Sequence, residues 1–286
     1  MVIQCKTLLG QKNLDFSIAC LGSFVEYAED DIQLIIFEDG SLTPDGKQKL
    51  SLSLKNCIID SKGDRDAVVN MKLKSYPKCY HYRNSILYAH KIFDVMLYDE
   101  KDLLFIDSDV LFLKRFKLPS FNQFPVFIAD KHHAYSFSPA EFFNVSYPIF
   151  PHVNTGFFYF PYNQFDVALI ESLLNDAVIG KGLGRISWLE QTIWAFLAAR
   201  NKKVGYFDSK QIVMAQKVLT KDIQRVAVHL VSSYRSHFNE LYAQPAAANS
   251  KVESIKINEV STYLGKAEFL LNRLKKKLYR HIGLDM

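Results

Sequence analysis

LLFIDSDVLFL, residues 103–113, is an apolar run interrupted only by Asp107, Ser108 and Asp109. A run of this composition is typical of a strand that is covered on both faces, as in an α/β sheet. Ligands of such sheets bind beyond the carboxyl ends of the strands. We therefore expect a buried strand that delivers the two aspartates to a functional site.

The two aspartates stand one residue apart, and ionised carboxylates held this close repel each other. A divalent cation that prefers hard oxygen ligands, Mn²⁺ or Mg²⁺, relieves the repulsion and can in turn hold a diphosphate. The alternative is that the pair only forms a turn and a helix cap, positions that aspartate also favours. The apolar run in front of the pair favours the metal site.

The composition is that of a folded domain with a sizeable core. The 286 residues are 49% hydrophobic and 14% aromatic, which excludes a disordered chain and suits one large α/β domain or two small ones. No uncharged apolar stretch reaches the roughly 18 residues of a membrane-spanning helix, and the amino-terminal residues lack the pattern of a secretory signal. We therefore predict a cytoplasmic location. The four cysteines form no metal-binding pattern, so reduced thiols are expected.

The net charge of +5 is concentrated near the carboxyl end, because residues 251–286 hold eight Lys and Arg against four Asp and Glu. The rest of the chain is nearly neutral, which argues against nucleic-acid binding. Residues 260–286 are predicted to contain a basic amphipathic helix. Three roles stay open for it: peripheral contact with the inner, anionic face of a membrane, docking onto the domain, or dimerisation.

The remaining pattern alternates strands with helices. Strands are predicted at 2–7, 32–37, 125–130, 152–160, 203–207 and 226–231, and helices at 14–28, 85–97, 164–177 and 188–200. This order predicts an α/β protein with a doubly wound sheet. We predict one domain over residues 1–242, a linker over 243–259 and the carboxyl-terminal helix over 260–286. The aromatic stretch 131–150 is expected to be a long loop that serves as a lid or as a binding surface.

Several short motifs, in order, resemble the GT-A glycosyltransferases, and in particular bacterial enzymes of glycosyltransferase family 8. Asp107-Ser108-Asp109 matches the Asp-x-Asp motif of that family, in which the aspartates bind Mn²⁺ and the metal holds the diphosphate of a sugar nucleotide. The resemblance implies a GT-A (Rossmann-like) fold with a mixed, mainly parallel sheet, flanked by helices and followed by the helical extension. It also implies a nucleotide-diphosphate sugar, most simply a UDP-sugar, as donor.

Other residues take their roles from the same resemblance. His229 stands where the family has a third metal ligand, and Arg235 where it has a phosphate-binding lysine. Asp39 is similar to the carboxylate that meets the nucleoside. Asn154, Thr155 and Gly156 resemble the turn that contacts the donor sugar in that family. Glu190 and Gln191 resemble the pair that lies beneath the anomeric carbon. Taken alone, His229 would more simply be a core residue and Glu190 an exposed helix residue.

Two questions about the chemistry stay open in the sequence. Lys91 is predicted to reach the diphosphate or the donor hydroxyls, with Arg83 as its competitor, while a solvated helix face explains either one equally well. The resemblance to family 8 implies retention of the anomeric configuration. An inverting enzyme would need a general base near the acceptor hydroxyl, and Glu190 or Asp130 is the candidate for that role.

The predicted function is metal-dependent transfer of a sugar to a glycan, lipid-linked or other acceptor hydroxyl, as in bacterial polysaccharide biosynthesis. FIDSDVLF also resembles the haloacid-dehalogenase phosphatases, with Asp107 as nucleophile. Those enzymes carry the motif near the amino terminus and need an acidic pair later in the chain. Here a whole βαβ region precedes the motif, and no such acidic pair follows it. A non-catalytic nucleotide-sugar-binding protein is the third alternative.

Overall fold

A computed structural model describes residues 2–121, 123–180, 186–215, 225–243 and 251–281. The strands are β1 Ile3–Leu9, β2 Ile32–Glu38, β3 Cys57–Asp60, β4 Leu103–Ile106, β5 Val110–Phe112, β6 Phe116–Lys117, β7 Val126–Ala129, β8 Val153–Phe160, β9 Val204–Phe207, β10 Ile212–Met214, β11 Ala227–His229, β12 Glu253–Ser254 and β13 Ile257–Val260. The helices are α1 Leu14–Tyr27, α2 Pro44–Ser53, α3 Lys62–Leu73, α4 Pro77–Ser85, α5 His90–Leu97, α6 Pro139–Phe142, α7 Val167–Asn175, α8 Ile186–Ala199, α9 Phe238–Tyr242 and α10 Lys266–His281.

The central sheet has eight strands in the order β13-β9-β7-β8-β4-β1-β2-β3. β1, β2, β3 and β4 are parallel, whereas β8 runs antiparallel to both of its neighbours, β4 and β7. β9 is parallel to β7, and β13 closes the edge antiparallel to β9. The prediction of a mixed, mainly parallel sheet flanked by helices is therefore confirmed.

A second, three-stranded sheet has the order β10-β11-β5 and is built from short strands. Residues 103–113 therefore form two strands, since β4 belongs to the central sheet and β5 to the small one. Asp107, Ser108 and Asp109 lie in the turn that links the two sheets, and the Val110 amide donates to the Asp107 carbonyl over 3.3 Å. The aspartates thus follow the carboxyl end of a buried parallel strand, as the sequence predicts.

The carboxyl-terminal region differs from the predicted linker and helix boundaries. Residues 244–250 lie outside the described residues, but 257–260 form β13, which pairs with β9 from Ile257 opposite Phe207 to Val260 opposite Val204. Partly buried apolar side chains at both ends of this strand explain why it joins the sheet edge. The helix begins only at Lys266.

Large apolar side chains fill both faces of the central sheet. One cluster lies between the sheet and helices α3, α4, α5, α7 and α8 and includes Trp194, which is fully buried. The other lies under α1 and α2 and contains Phe24, Phe112 and Phe157. All four cysteines are unpaired thiols, as predicted. Among the described residues, no helix combines the length and apolarity that crossing a lipid bilayer requires.

A buried ion cluster holds α3, α4 and α5 together around Asp94. Its carboxylate accepts hydrogen bonds from Arg83 (2.9 and 2.8 Å), Arg65 (3.3 Å) and His90 (2.9 Å). Burial alone would raise the pKa of Asp94, but the hydrogen bonds from His90 and Arg83 lower it to about 2. Since α5 also carries Lys91, this cluster fixes the helix that supplies a cation to the functional site.

We predict that Asp94→Ala lowers the free energy of unfolding by roughly 3–5 kcal/mol, because it leaves two arginines buried without their carboxylate. Urea unfolding followed by circular dichroism measures the change. Asp15→Ala, which removes an exposed partner of Lys49, is the matched control and should have little effect. An Asp94→Ala protein as stable as the wild type would contradict the structural role of the cluster.

Candidate active site

A cavity of about 640 Å³ opens where β1, β2 and β4 end. Strands of an α/β sheet present bound ligands at this edge. Of the residues that the sequence analysis assigned to a site, thirteen line this cavity: Asp39, Lys91, Asp107, Ser108, Asp109, Asp130, Asn154, Thr155, Gly156, Glu190, Gln191, His229 and Arg235.

Strand pairing between β5 and β11 brings the three proposed metal ligands together. In the antiparallel register His229 lies opposite Val110, and the Leu230 amide donates to the Asp109 carbonyl over 2.8 Å. His229 Nε2 is 3.2 Å from Asp109 Oδ1 and 3.9 Å from Asp107 Oδ2. Ligand atoms of these three residues all lie within 4.8 Å of one another.

Asn154 orients His229. The side-chain carbonyl of Asn154 is 3.1 Å from His229 Nδ1 and also accepts the Gly156 amide over 3.0 Å. Because an amide oxygen only accepts, His229 Nδ1 carries a proton, and Nε2 is the nitrogen that a metal ion beside Asp109 would use. The amide nitrogen of Asn154 donates to Gln191 over 3.3 Å. The asparagine therefore connects the histidine to Gln191.

Gly156 leaves room for the imidazole of His229. A Cβ at this position would lie 2.2 Å from His229 Cε1 and 2.3 Å from Nδ1. The backbone of β8 also holds the aspartates, since the Asp107 amide donates to the Gly156 carbonyl over 2.6 Å. Only a glycine at this position of β8 lets the ring reach the aspartates.

The donor set fits a divalent cation such as Mn²⁺. Two carboxylates and an imidazole nitrogen match its ligand preference, and the contact of Nδ1 with Asn154 leaves Nε2 as the nitrogen available for the metal. Asp109 Oδ2 also accepts a hydrogen bond from Arg235 Nη2 over 2.8 Å. Burial would raise the pKa of Asp109, but His229 and Arg235 outweigh it and lower the pKa to about 2, so this carboxylate stays ionised.

Lys91 lies inside the site and not on a solvated helix face. Its ammonium donates to both oxygens of Asp107 (2.9 and 2.8 Å) and to Thr155 Oγ1 (3.3 Å), and it lies 4.0 Å from Glu190 Oε2. Burial would lower the pKa of Lys91, but the carboxylates of Asp107 and Glu190 raise it overall. The lysine therefore keeps its charge next to the aspartate motif.

Glu190 and Gln191 are both buried on α8, which decides against an exposed helix position for Glu190. Thr155 donates to Glu190 Oε2 over 3.0 Å, and Gln191 donates to the Ala134 carbonyl over 3.0 Å. Burial, opposed by Lys91 and reinforced by Asp107, raises the pKa of Glu190 to about 7. The pair thus presents a carboxyl group of high pKa and a neutral amide side by side.

The prediction that Arg83 competes with Lys91 for the ligand is not met by the structure. Arg83 is fully buried, lies away from the cavity and is held by Asp94 and by Asp66, whose Oδ1 is 2.6 Å from the guanidinium. An arginine can be buried only when its charge is paired, and these two carboxylates supply the pairing. Its position one helix before Lys91 gave no sign of this.

Asp39 and Asp130 line the cavity from the ends of two different strands. Asp39 follows β2, and its Oδ1 accepts the Ser41 amide over 2.8 Å. Asp130 follows β7, and its Oδ1 accepts the His132 amide over 2.9 Å. Both therefore form short turns and also face the cavity. Glu38, in contrast, is buried and binds Lys47, consistent with assigning the nucleoside contact only to Asp39.

Apolar residues at the cavity rim were missed by the sequence analysis. Leu87, Tyr88 and Trp188 line the cavity and are exposed by 48, 50 and 38%. Large apolar side chains that stay exposed beside a cavity often mark a binding surface. Trp188 stands two residues before Glu190, and a tryptophan at the start of a helix that carries site residues was the available signal.

We predict that Asn154→Ala weakens Mn²⁺ affinity about 10–100-fold, because His229 loses the acceptor that fixes its tautomer. Isothermal titration calorimetry of the metal-free protein measures the affinity. Asn201→Ala, which removes a half-buried asparagine bonded to the Gln123 carbonyl, is the matched control. Equal Mn²⁺ affinity in the two variants would show that Asn154 does not orient the ligand.

No protein-family model matches this sequence, and no curated protein matches it. The structure is similar to the galactosyltransferase LgtC in complex with donor and acceptor sugar analogues, at 10% identity over 84% of this chain and 95% of that one, with a TM-score of 0.50. It is also similar to mouse xyloside xylosyltransferase 1 in its apo form, at 9% identity over 85 and 92% of the two chains, again with a TM-score of 0.50. The chain therefore has the GT-A fold that its motifs predict.

Proposed function

We propose that this protein is a metal-dependent glycosyltransferase that moves a sugar from a nucleotide-diphosphate donor, most simply a UDP-sugar, to an acceptor hydroxyl. The observation that carries the proposal is the convergence of Asp107, Asp109 and His229 in one cavity of a GT-A fold. Two distant parts of the chain supply these residues, since the aspartates lie between β4 and β5 and His229 lies in β11, and the pairing of β5 with β11 brings them together.

The chemical demand is to stabilise a departing nucleoside diphosphate. When bound by Asp109 and His229, with Asp107 beside them, a divalent cation supplies Lewis-acid stabilisation of that leaving group. The protein adds the guanidinium of Arg235, whose side chain is 46% exposed and can turn from Asp109 toward a phosphate. Lys91 adds a second positive charge, 2.8 Å from Asp107 Oδ2.

The donor sugar is proposed to lie over Asn154, Thr155, Glu190 and Gln191. Gln191 is neutral and is held by two hydrogen bonds, so its side chain is preorganised to face the anomeric carbon. Glu190 is held by Thr155 and faces Lys91, which makes it a positioning group in this proposal. We infer retention of configuration, with Asp130 as the general base of the competing inverting mechanism.

The acceptor is proposed to bind at the apolar rim. Tyr88 and Trp188 offer exposed aromatic faces at the mouth of the cavity, and the apolar faces of sugar rings pack on such surfaces. Arg273 of α10 lies over the Trp188 ring, 5.6 Å from its centroid. The acceptor side of the cavity is thus next to the carboxyl-terminal helix, which favours a glycan or lipid-linked acceptor approaching along that helix.

The first experiment is calorimetric binding of UDP and GDP, each with and without Mn²⁺. We predict tight, metal-dependent binding of UDP and its loss in Asp109→Ala, because that variant lacks the carboxylate between His229 and Arg235. The matched control is Asp31→Ala, which changes an exposed aspartate at the amino end of β2, away from the carboxyl ends of the strands where the cavity lies. UDP binding that persists in Asp109→Ala, or that needs no metal, would contradict the proposal.

We also predict that Gln191→Ala lowers the rate of UDP-sugar turnover by roughly 10²–10³ while the dissociation constant of UDP changes little. The reason is that this side chain is proposed to act on the sugar and not on the nucleotide. Donor hydrolysis assays and UDP calorimetry on the same variant separate the two effects. Weaker UDP binding with unchanged turnover would move Gln191 out of the reaction centre.

Helix α10 has one buried face and one exposed apolar face. Phe269 is fully buried and packs against Phe137 and Phe142, at ring-centroid distances of 5.5 and 4.9 Å. Leu271, Leu274 and Leu278 are instead 58, 54 and 60% exposed. Their spacing puts the three leucines on one side of the helix, turned away from Phe269. The helix docks through one face and leaves a leucine stripe in solvent.

We propose that this leucine stripe lies on an anionic membrane surface. Lys275 and Lys277 are exposed and flank the leucines, so the helix offers both apolar area and positive charge to acidic lipids. In this proposal the cavity rim lies near the membrane, where a lipid-linked acceptor would be found. Association of two copies through the same leucines is the competing use.

We predict that the double variant Leu271→Asp, Leu278→Asp loses at least about 10-fold in binding to vesicles of anionic phospholipid, since two leucines no longer enter the bilayer. Co-sedimentation with anionic and with neutral vesicles measures this. Leu52→Asp changes an exposed leucine on α2 and is the matched control. Unchanged vesicle binding, or a dimer in light scattering that the double variant dissociates, would contradict membrane contact.

A further inference from the structure

A second group of candidate ligands lies outside the active site, where α10 meets the loop before β8. His133, His152 and Glu268 each offer a ligand atom, and these atoms lie within 4.8 Å of one another. The two imidazole rings are close, with centroids 4.2 Å apart. The group is separate from the proposed catalytic ligands, none of which belongs to it.

The hydrogen bonds of His152 leave one of its ring nitrogens available. His152 Nδ1 lies 2.8 Å from the Asp130 carbonyl, which can only accept, so Nδ1 carries the proton. The lone pair of His152 is therefore on Nε2. The same residue has a backbone φ of 55°, a left-handed conformation that histidine, like asparagine and aspartate, adopts more often than most side chains.

His133 is buried and incompletely satisfied. The side chain is 1% exposed, and within the described part of the chain Nε2 has no hydrogen-bond partner. The carboxylate oxygen Oε1 of Glu268 lies 3.8 Å from this nitrogen. Burial, together with the neighbouring His152 and Arg273, lowers the pKa of His133 to about 3, so the ring is neutral. A buried polar atom without a partner is costly, and Nε2 is therefore the atom of His133 at which a ligand would bind.

We propose that His133, His152 and Glu268 bind a divalent transition-metal ion of the Zn²⁺ type. Two neutral imidazoles and one carboxylate are a common zinc ligand set that leaves a fourth position open to water. Ligand atoms around tetrahedral zinc lie about 3.3 Å apart, given metal–ligand bonds of about 2.0 Å, so the group has to contract by at most about 1.5 Å. Glu268, half exposed on the helix surface, is the member free to move.

Metal binding requires one rearrangement in the interior. The His152 amide donates to His133 Nδ1 over 3.3 Å, a long hydrogen bond, so His133 now carries its proton on Nε2. Ligation through Nε2 moves that proton to Nδ1, and the ring turns away from the amide. This step opposes binding, and we expect an affinity in the micromolar range.

The consequence of such a site would be a clamp between α10 and the active-site loop. Glu268 is on α10, whereas Asp130 and Ala134, which flank His133 in sequence, line the catalytic cavity. A metal ion that joins them would hold the helix and the loop in one arrangement. The proposal does not depend on glycosyl transfer, since it rests on residues outside the donor site.

The test uses the full chain in the Asp109→Ala background, which removes a ligand of the other site. Co²⁺ is titrated while its visible d–d absorption is followed, and Zn²⁺ binding is measured by calorimetry. We expect one equivalent of Co²⁺ with the strong absorption of four-coordinate cobalt, displaced by Zn²⁺. Adding Glu268→Gln should weaken Zn²⁺ binding at least 10-fold.

The matched control is Glu240→Gln, because Glu240 is an exposed carboxylate 3.9 Å from His237 that belongs to no group of three potential ligands among the described residues. His152→Asn is the second variant, chosen because asparagine tolerates the left-handed backbone. Trypsin digestion gives an independent readout, since Zn²⁺ should slow cleavage after the lysines of α10 only when Glu268 is present. Absence of Co²⁺ binding, or binding that both variants leave unchanged, would overturn the proposal.

Discussion

The antiparallel pairing of β5 with β11 is the constraint on which the functional site depends. It places His229 opposite Val110 and therefore beside Asp109, although the two residues are far apart in sequence. The aspartates in turn follow β4, which is fixed between β1 and β8 of the central sheet. Strand register is determined by which side chains must be buried, and a shift by one residue would turn His229 away from the site.

The charges in the cavity form a second constraint. Asp107, Asp109 and Glu190 would repel one another if no cation lay between them. Lys91 pairs with Asp107 and lies near Glu190, and Arg235 pairs with Asp109. The carboxylates are thereby preorganised as ligands, and no large rearrangement of the backbone is needed to bind a cation. The high pKa of Glu190 follows from the same crowding, because burial and Asp107 both favour its protonated form.

Much of this could be predicted from the sequence, because local patterns determine it. Apolar runs predicted the strands, and the pair Asp107 and Asp109 after a buried run predicted the site. Contacts between distant segments were not accessible in this way. The position of Arg83 in the sequence suggests a cation near the site. Its ion pairs with Asp66 and Asp94 instead hold it in the protein interior, where it does not line the cavity. Residues 257–260 have linker-like surroundings, yet they complete the sheet edge.

The role of Asn154 shows the same limit. The motif predicted a donor-sugar contact, whereas the structure also makes this residue the acceptor that fixes the tautomer of His229 and a partner of Gln191. A hydrogen bond between residues 154 and 229 depends on the packing of β8 against the small sheet. A sequence pattern confined to a few neighbouring residues contains no information about that packing.

Anomalous X-ray diffraction from crystals grown with Mn²⁺ and UDP would locate the metal ion and its ligands. We predict a manganese peak at bonding distance from a carboxylate oxygen of Asp109 and from His229 Nε2, with the UDP diphosphate on its open side and Arg235 turned toward a phosphate. A crystal that contains UDP in the cavity but no manganese at these residues would contradict it, as would a manganese ion coordinated without His229.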